Sequence, residues 1–179
     1  MDLIASFSSH TVRSFHFFKI KGLIRNQIMS FLFDTGAAYS VIGVNHLIEP
    51  GHHADEDRKH RLRDLFIEEA TRQGIKERSE RLRAANNTAI VTYPCKCSDV
   101  SIEGTPPIDF FFDFSLGDIN LPLLGGCFMN DCAYNHGIEG SVIVTGMRNN
   151  PGMELYRNIP TVDFAQAISH MERVGVLDI

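Results

Sequence analysis

The stretch Phe31-Leu32-Phe33-Asp34-Thr35-Gly36-Ala37 constrains this chain most, because an apolar strand runs directly into a lone carboxylate followed by a glycine. Apolar residues on both sides of Asp34 suit a buried strand. Gly36 lets the backbone turn and approach the acid where a side chain would clash. At the bottom of a cleft, such a carboxylate can polarise water or hold a proton. The same residues also suit a simpler structure, a strand that ends in an Asx-type turn with Asp34 capping its own backbone.

A second apolar element, Leu121-Pro122-Leu123-Leu124-Gly125, lies further along the chain. Together the two segments resemble the retropepsin-like aspartic proteases. Ala37 matches the viral-type version of the motif, and Ser40-Val41-Ile42 continues it as a hydroxyl residue followed by apolar ones. Two departures stand out: Ala38-Tyr39 replaces a more polar pair, and Gly126-Cys127 stands where Arg-Asn is typical. The resemblance implies a mainly β, closed-barrel acid-protease fold. It also implies an element order: an amino-terminal hairpin, the Asp-Thr-Gly-Ala strand, a flap hairpin, further strands, the apolar-apolar-Gly strand packed behind the first motif, a short helix and a last strand. Residues Phe15 to Val144 can be read in that order. Lys19-Ile20-Lys21-Gly22 leads into the first turn, and Gln27 to Phe33 returns to the acid.

The expected organisation is a protease-like domain over residues 1–146 with a helical insertion at about 50–83, then an extension over 147–179 with a helix at about 162–174. Within the insertion, Asp55, Glu56 and Asp57 favour a helix amino terminus. Leu62, Leu65, Phe66 and Ala70 then form a stripe at helical spacing. Gly74 breaks the pattern, and a second helical piece containing Ile75 and Leu82 is expected after it. From Asp55 to Arg83, nine Lys/Arg stand against eight Asp/Glu, which describes a mixed solvated face and not a nucleic-acid arm. An amphipathic pair packed over the sheet is the first expectation for this segment.

Arg83 to Val91 is expected as strand, turn, strand around Asn86-Asn87, because Asn tolerates the positive φ of a tight hairpin. Cys95 to Ile102, Ile108 to Phe114 and Gly140 to Val144 are expected strands. In the tail, Phe164, Ala167, Ile168 and Met171 recur at helical spacing, Asp163 with Gln166 suits a capping box, and Gly175 suits a stop. That stripe is expected to pack on the domain or on a second subunit.

The chain has 179 residues, 44% of them apolar, which is enough for one real core. A formal net charge of −5 offers no blanket attraction to nucleic acid or acidic membranes. No run reaches transmembrane length, and Met1 to Arg13 lacks the basic start and apolar stretch of a signal peptide, so a cytoplasmic location is expected. The four cysteines are expected as reduced thiols, since Cys95-x-Cys97 and Cys127-x4-Cys132 lack the usual zinc-knuckle spacing. His52, His53 and His60 sit in a charged segment that suits a solvated surface better than a ligand set. No metal or cofactor is expected.

Peptide hydrolysis of the resembled kind needs two carboxylates, and only one Asp-Thr-Gly occurs. The resemblance therefore implies a homodimer with Asp34 of each copy across the two-fold axis. It implies Asp34, Thr35 and Gly36 as the catalytic trio, with the Thr35 hydroxyl bracing the two loops and the Gly36 N–H donating to the carboxylate. Ala37 and the flap tip Ala85-Asn86-Asn87-Thr88 would border bound peptide. A homodimeric aspartic endopeptidase acting on protein or peptide segments is the leading expectation. The competing one is a dimerisation or peptide-binding module of the same fold whose Asp34 goes unused.

Overall fold

The computed structural model describes residues 17–34, 36–48, 55–84, 86–102, 106–126, 156 and 158–177. The expected strand Gly140 to Val144, the pair Cys127 and Cys132, and His52 and His53 lie outside the described residues.

The chain begins as an antiparallel hairpin of β1 (Phe17–Lys21) and β2 (Ile28–Phe33), with Phe17 opposite Leu32 and Lys21 opposite Ile28. β2 delivers its apolar residues to Asp34, and after the loop β3 (Val41–Gly43) continues into a 3-10 turn at Val44–Leu47. A helix α1 (Glu56–Arg72) follows, and then the short strands β4 (Leu82–Arg83) and β5 (Ala89–Ile90) pair as a separate hairpin. The long strand β6 (Thr92–Ile102) runs antiparallel to β7 (Ile108–Ser115). β8 (Leu123–Leu124), β9 (Val162–Asp163) and helix α2 (Phe164–Val174) complete the described elements.

Six strands close on themselves in the order β1-β2-β8-β3-β7-β6, because Ile20 and Lys21 of β1 also pair with Ile102 and Ser101 of β6. Closure removes the free edges that an open sheet would expose. β9 adds to β6 in parallel through Cys95–Val162 and Lys96–Asp163. Among the described residues the architecture is thus a mainly β closed barrel with two helices packed on it.

Alternation along β7 explains how barrel and helices share one core. Phe110, Phe112 and Phe114 point to one face: Phe110 meets Phe31 of β2 edge-on, Phe112 meets Phe164 of α2, and Phe114 lies between Phe66 of α1 and Phe164. The opposite face carries Phe111 and Asp113. The stripe Leu62, Leu65, Phe66 and Ala70 is buried as its spacing predicts, and so is Phe164, Ala167, Ile168 and Met171. α2 packs on the domain itself, against α1 and β6.

Helix ends follow local chemistry. Asp55 caps α1 by accepting from the Asp57 N–H at 3.0 Å, and Asp163 caps α2 by accepting from Gln166 N–H at 3.3 Å. Gly175 ends α2 in the left-handed conformation at φ +82°. The insertion needs one correction. The second helical piece expected through Ile75 and Leu82 does not form: helix ends at Arg72, and Leu82 lies in strand β4. The reason is tertiary, since the backbone N–H of Arg78 donates to the Thr92 carbonyl at 2.8 Å and its guanidinium is held by Asp113, which draws the segment along β6. Among the described residues no helix is long and apolar enough to cross a membrane.

Candidate active site

Asp34 sits where β2 leaves the barrel, and β8 fixes that end. Leu32 and Phe33 pair in parallel with Leu123 and Leu124, the Leu32 N–H donates to the Pro122 carbonyl at 2.8 Å, and the Asp34 N–H donates to the Leu124 carbonyl at 3.0 Å. The loop then folds back on its own acid. The Gly36 N–H donates to Asp34 Oδ1 at 2.9 Å, and the Ala37 N–H donates to the Asp34 carbonyl at 3.1 Å. The Gly36 N–H thus orients the carboxylate from the backbone.

The loop is locked from the other side by the residues after β8. The Gly126 N–H donates to the Ala37 carbonyl at 2.8 Å, and the Gly125 N–H donates to Ser40 Oγ at 2.9 Å. Gly125 has no room for a side chain: a Cβ there would stand 2.4 Å from the Tyr39 carbonyl oxygen. The Asp34 loop and the Leu123–Gly126 segment therefore interlock at backbone contact. Asp34 is 2% exposed and Ala37 1% exposed in the single chain.

Of the residues expected at the site, Asp34, Gly36 and Ala37 share this loop. Thr35 and Ala85 lie outside the described residues. Asn86, Asn87 and Thr88 form the exposed tip of the β4–β5 hairpin, with Asn87 at φ +68° as a tight turn demands. Asn86 Oδ1 accepts from the Thr88 N–H at 3.0 Å, and Arg83 donates to the Asn87 carbonyl at 3.0 Å, so the tip is internally braced. The stem approaches the acid's loop: Leu82 is buried with Tyr39, Val41 and Tyr156, and Ile90 packs on them.

Sequence reasoning missed the charged group beneath that stem. Asp113 is fully buried on β7 and receives a two-pronged contact from Arg78, Nε to Oδ2 at 2.8 Å and Nη2 to Oδ1 at 2.9 Å. Thr92 Oγ1 donates to Oδ2 at 2.8 Å and the Tyr156 hydroxyl to Oδ1 at 2.5 Å. The guanidinium carbon of Arg78 lies 4.6 Å from the centre of the Tyr39 ring and 5.2 Å from that of Tyr156. Burial works against the Arg78 charge, but Asp113 outweighs it and the guanidinium's pKa is raised. The one available signal was an acid inside the Phe-rich run Ile108–Ser115; its cation, far away in sequence, had none.

Three further titratable groups lie near the barrel. His46 Nδ1 accepts from the Gly43 N–H at 3.0 Å, and burial pushes its pKa down. Cys95 and Cys97 are buried free thiols on one face of β6; burial pushes Cys95 well up and Cys97 up to about 11. Among the described residues there is no cluster of three or more His, Cys, Asp or Glu able to hold a metal. No protein-family model and no curated protein matches this chain in sequence.

Proposed function

We propose that the chain is a homodimeric aspartic endopeptidase of retropepsin-like type, in which the Asp34 carboxylates of two copies activate one water. The observation that carries this reading is the carboxylate of Asp34, oriented by the Gly36 N–H in a loop interlocked with Leu123–Gly126. A turn that merely capped its own backbone has no need of that second, distant segment. With a single such acid per chain, the two-fold dimer supplies the other.

Two carboxylates a few Å apart cannot both ionise cheaply, so the pair shares a proton. The ionised member takes a proton from water as the water oxygen attacks the scissile carbonyl carbon, and the protonated member gives its proton to the carbonyl oxygen. A neutral gem-diol results. Its collapse returns a proton to the amide nitrogen and breaks the C–N bond. Extended peptide would be bound by backbone pairing beneath the β4–β5 hairpin, with Ala37 and Asn86 to Thr88 at its border. No metal or cofactor enters this scheme, and a reducing cytoplasm suits the two buried thiols.

The slight exposure of Asp34 in the single chain favours one second reading, a module of the same architecture whose acid is never offered to substrate. Asp34→Asn decides between them. Asn preserves the size of the side chain and an oxygen for the Gly36 N–H, so folding and dimerisation should persist. Cleavage of a denatured protein substrate should fall by at least about a hundredfold, because an amide cannot take the water proton. Equal cleavage by the two proteins, or none by either at any pH, overturns the peptidase reading.

A further inference from the structure

The buried ion pair of Arg78 and Asp113 joins two pieces of chain that bear on Asp34. On one side, Arg78 belongs to the segment that enters the β4–β5 hairpin. Its N–H is tied to the Thr92 carbonyl, and two residues on Glu80 Oε1 accepts from the Tyr39 hydroxyl at 2.5 Å. On the other side, the Asp113 N–H donates to the Ser40 carbonyl at 2.8 Å, while Ser40 Oγ holds Gly125, the residue behind the acid's loop. The guanidinium also lies over Tyr39, which sits in the same loop.

Stability alone is a poor reason for such a pair, because buried ion pairs replaced by neutral groups of similar volume often leave a protein as stable or more so. What a neutral replacement lacks is direction. A guanidinium fork on a carboxylate fixes both partners in plane, and a stacked ring fixes a third.

We propose that Arg78 is a positioning residue for the candidate active site: through Asp113, Tyr39 and Ser40 it holds the loop carrying Asp34 in register with the stem of the β4–β5 hairpin. The role in cleavage rests on the peptidase reading; the positioning itself does not.

The test compares wild type with Arg78→Met/Asp113→Asn and Arg78→Lys in the full chain. The double variant removes both charges while Asn keeps partners for Thr92 and Tyr156, and Lys keeps the charge without the fork or the stacking. In each, amide hydrogen exchange is followed by NMR, with the β6–β7 ladder as internal reference. Exchange at Gly36 and Gly125 should be at least tenfold faster in both variants while ladder amides keep wild-type rates, and kcat should fall at least tenfold with KM shifted less. Should the double variant fail to fold, Arg78→Lys carries the same comparison. Unchanged exchange at Gly36 and Gly125 in a folded variant overturns the proposal, as does full kcat in one whose ladder is intact. A wild type that cleaves nothing yet shows the exchange pattern removes the peptidase reading and leaves the positioning role standing.

Discussion

Gly125→Ala tests the interlock behind Asp34. The new Cβ would stand 2.4 Å from the Tyr39 carbonyl oxygen, 2.5 Å from the Tyr39 carbonyl carbon and 2.9 Å from the Ala38 carbonyl carbon, all of them backbone atoms. No rotamer change relieves contacts of that kind, so the Ala38–Tyr39 backbone and β8 must move apart. Overpacking of this sort costs about 2 kcal/mol. The displacement also breaks at least one of the hydrogen bonds that bind the two segments, Gly125 N–H to Ser40 Oγ or Gly126 N–H to the Ala37 carbonyl, for about 1 kcal/mol more. The total of about 3 kcal/mol is a large share of a typical domain's stability. For a chain of this length it corresponds to a fall in Tm of about 6–12 °C. Gly74→Ala is the matched control: nothing lies within 4 Å of its Cβ position, but φ is +77°, so only backbone strain of about 1 kcal/mol is expected. Thermal unfolding followed by circular dichroism measures both. If Gly125→Ala loses no more than Gly74→Ala, the close approach of the two segments is not what holds the loop.

Three further outcomes can be measured. If the chain is the homodimeric peptidase proposed above, its rate per subunit should fall on dilution through the dimer dissociation constant, and a monomer at high concentration by sedimentation with undiminished activity contradicts the proposed shared site. His46 is depressed by burial, so the folded state binds fewer protons than the unfolded one; its contribution is fully present above the unfolded value of about 6.5 and lost as pH falls through the lower folded value. Urea midpoints at pH 7 and 5 should therefore drop more for wild type than for His46→Gln, and parallel drops refute the burial argument. Cys95 and Cys97, buried and with raised pKa values, should resist iodoacetamide at pH 8 until urea unfolds the protein, as peptide mapping by mass spectrometry would show; labelling at native rates typical of free thiols would contradict their placement.

Local pattern was sufficient wherever a residue's role depends on its neighbours in sequence. The stripe Leu62 to Ala70, the caps Asp55 and Asp163, the stop at Gly175 and the strand over Ile108 to Phe114 were all legible, because each depends on residues close in sequence. The loop at Asp34 was legible for the same reason, since an acid and a glycine two residues apart can bond each other in any context. What pairs across the chain has no local signal. The family resemblance alone led to the expectation of a closed barrel with Leu123 and Leu124 packed behind Leu32 and Phe33, and the tertiary structure set the residues that close it, Ile20 with Ile102, and joined Arg78 to Asp113. It also overrode the helical tendency expected after Gly74, where the Arg78 guanidinium is bound to the buried carboxylate of Asp113 and the Arg78 N–H to the Thr92 carbonyl. A charge leaves no periodic trace of the partner that folding will bring to it, and so the ion pair beside the acid's loop became visible only with the fold.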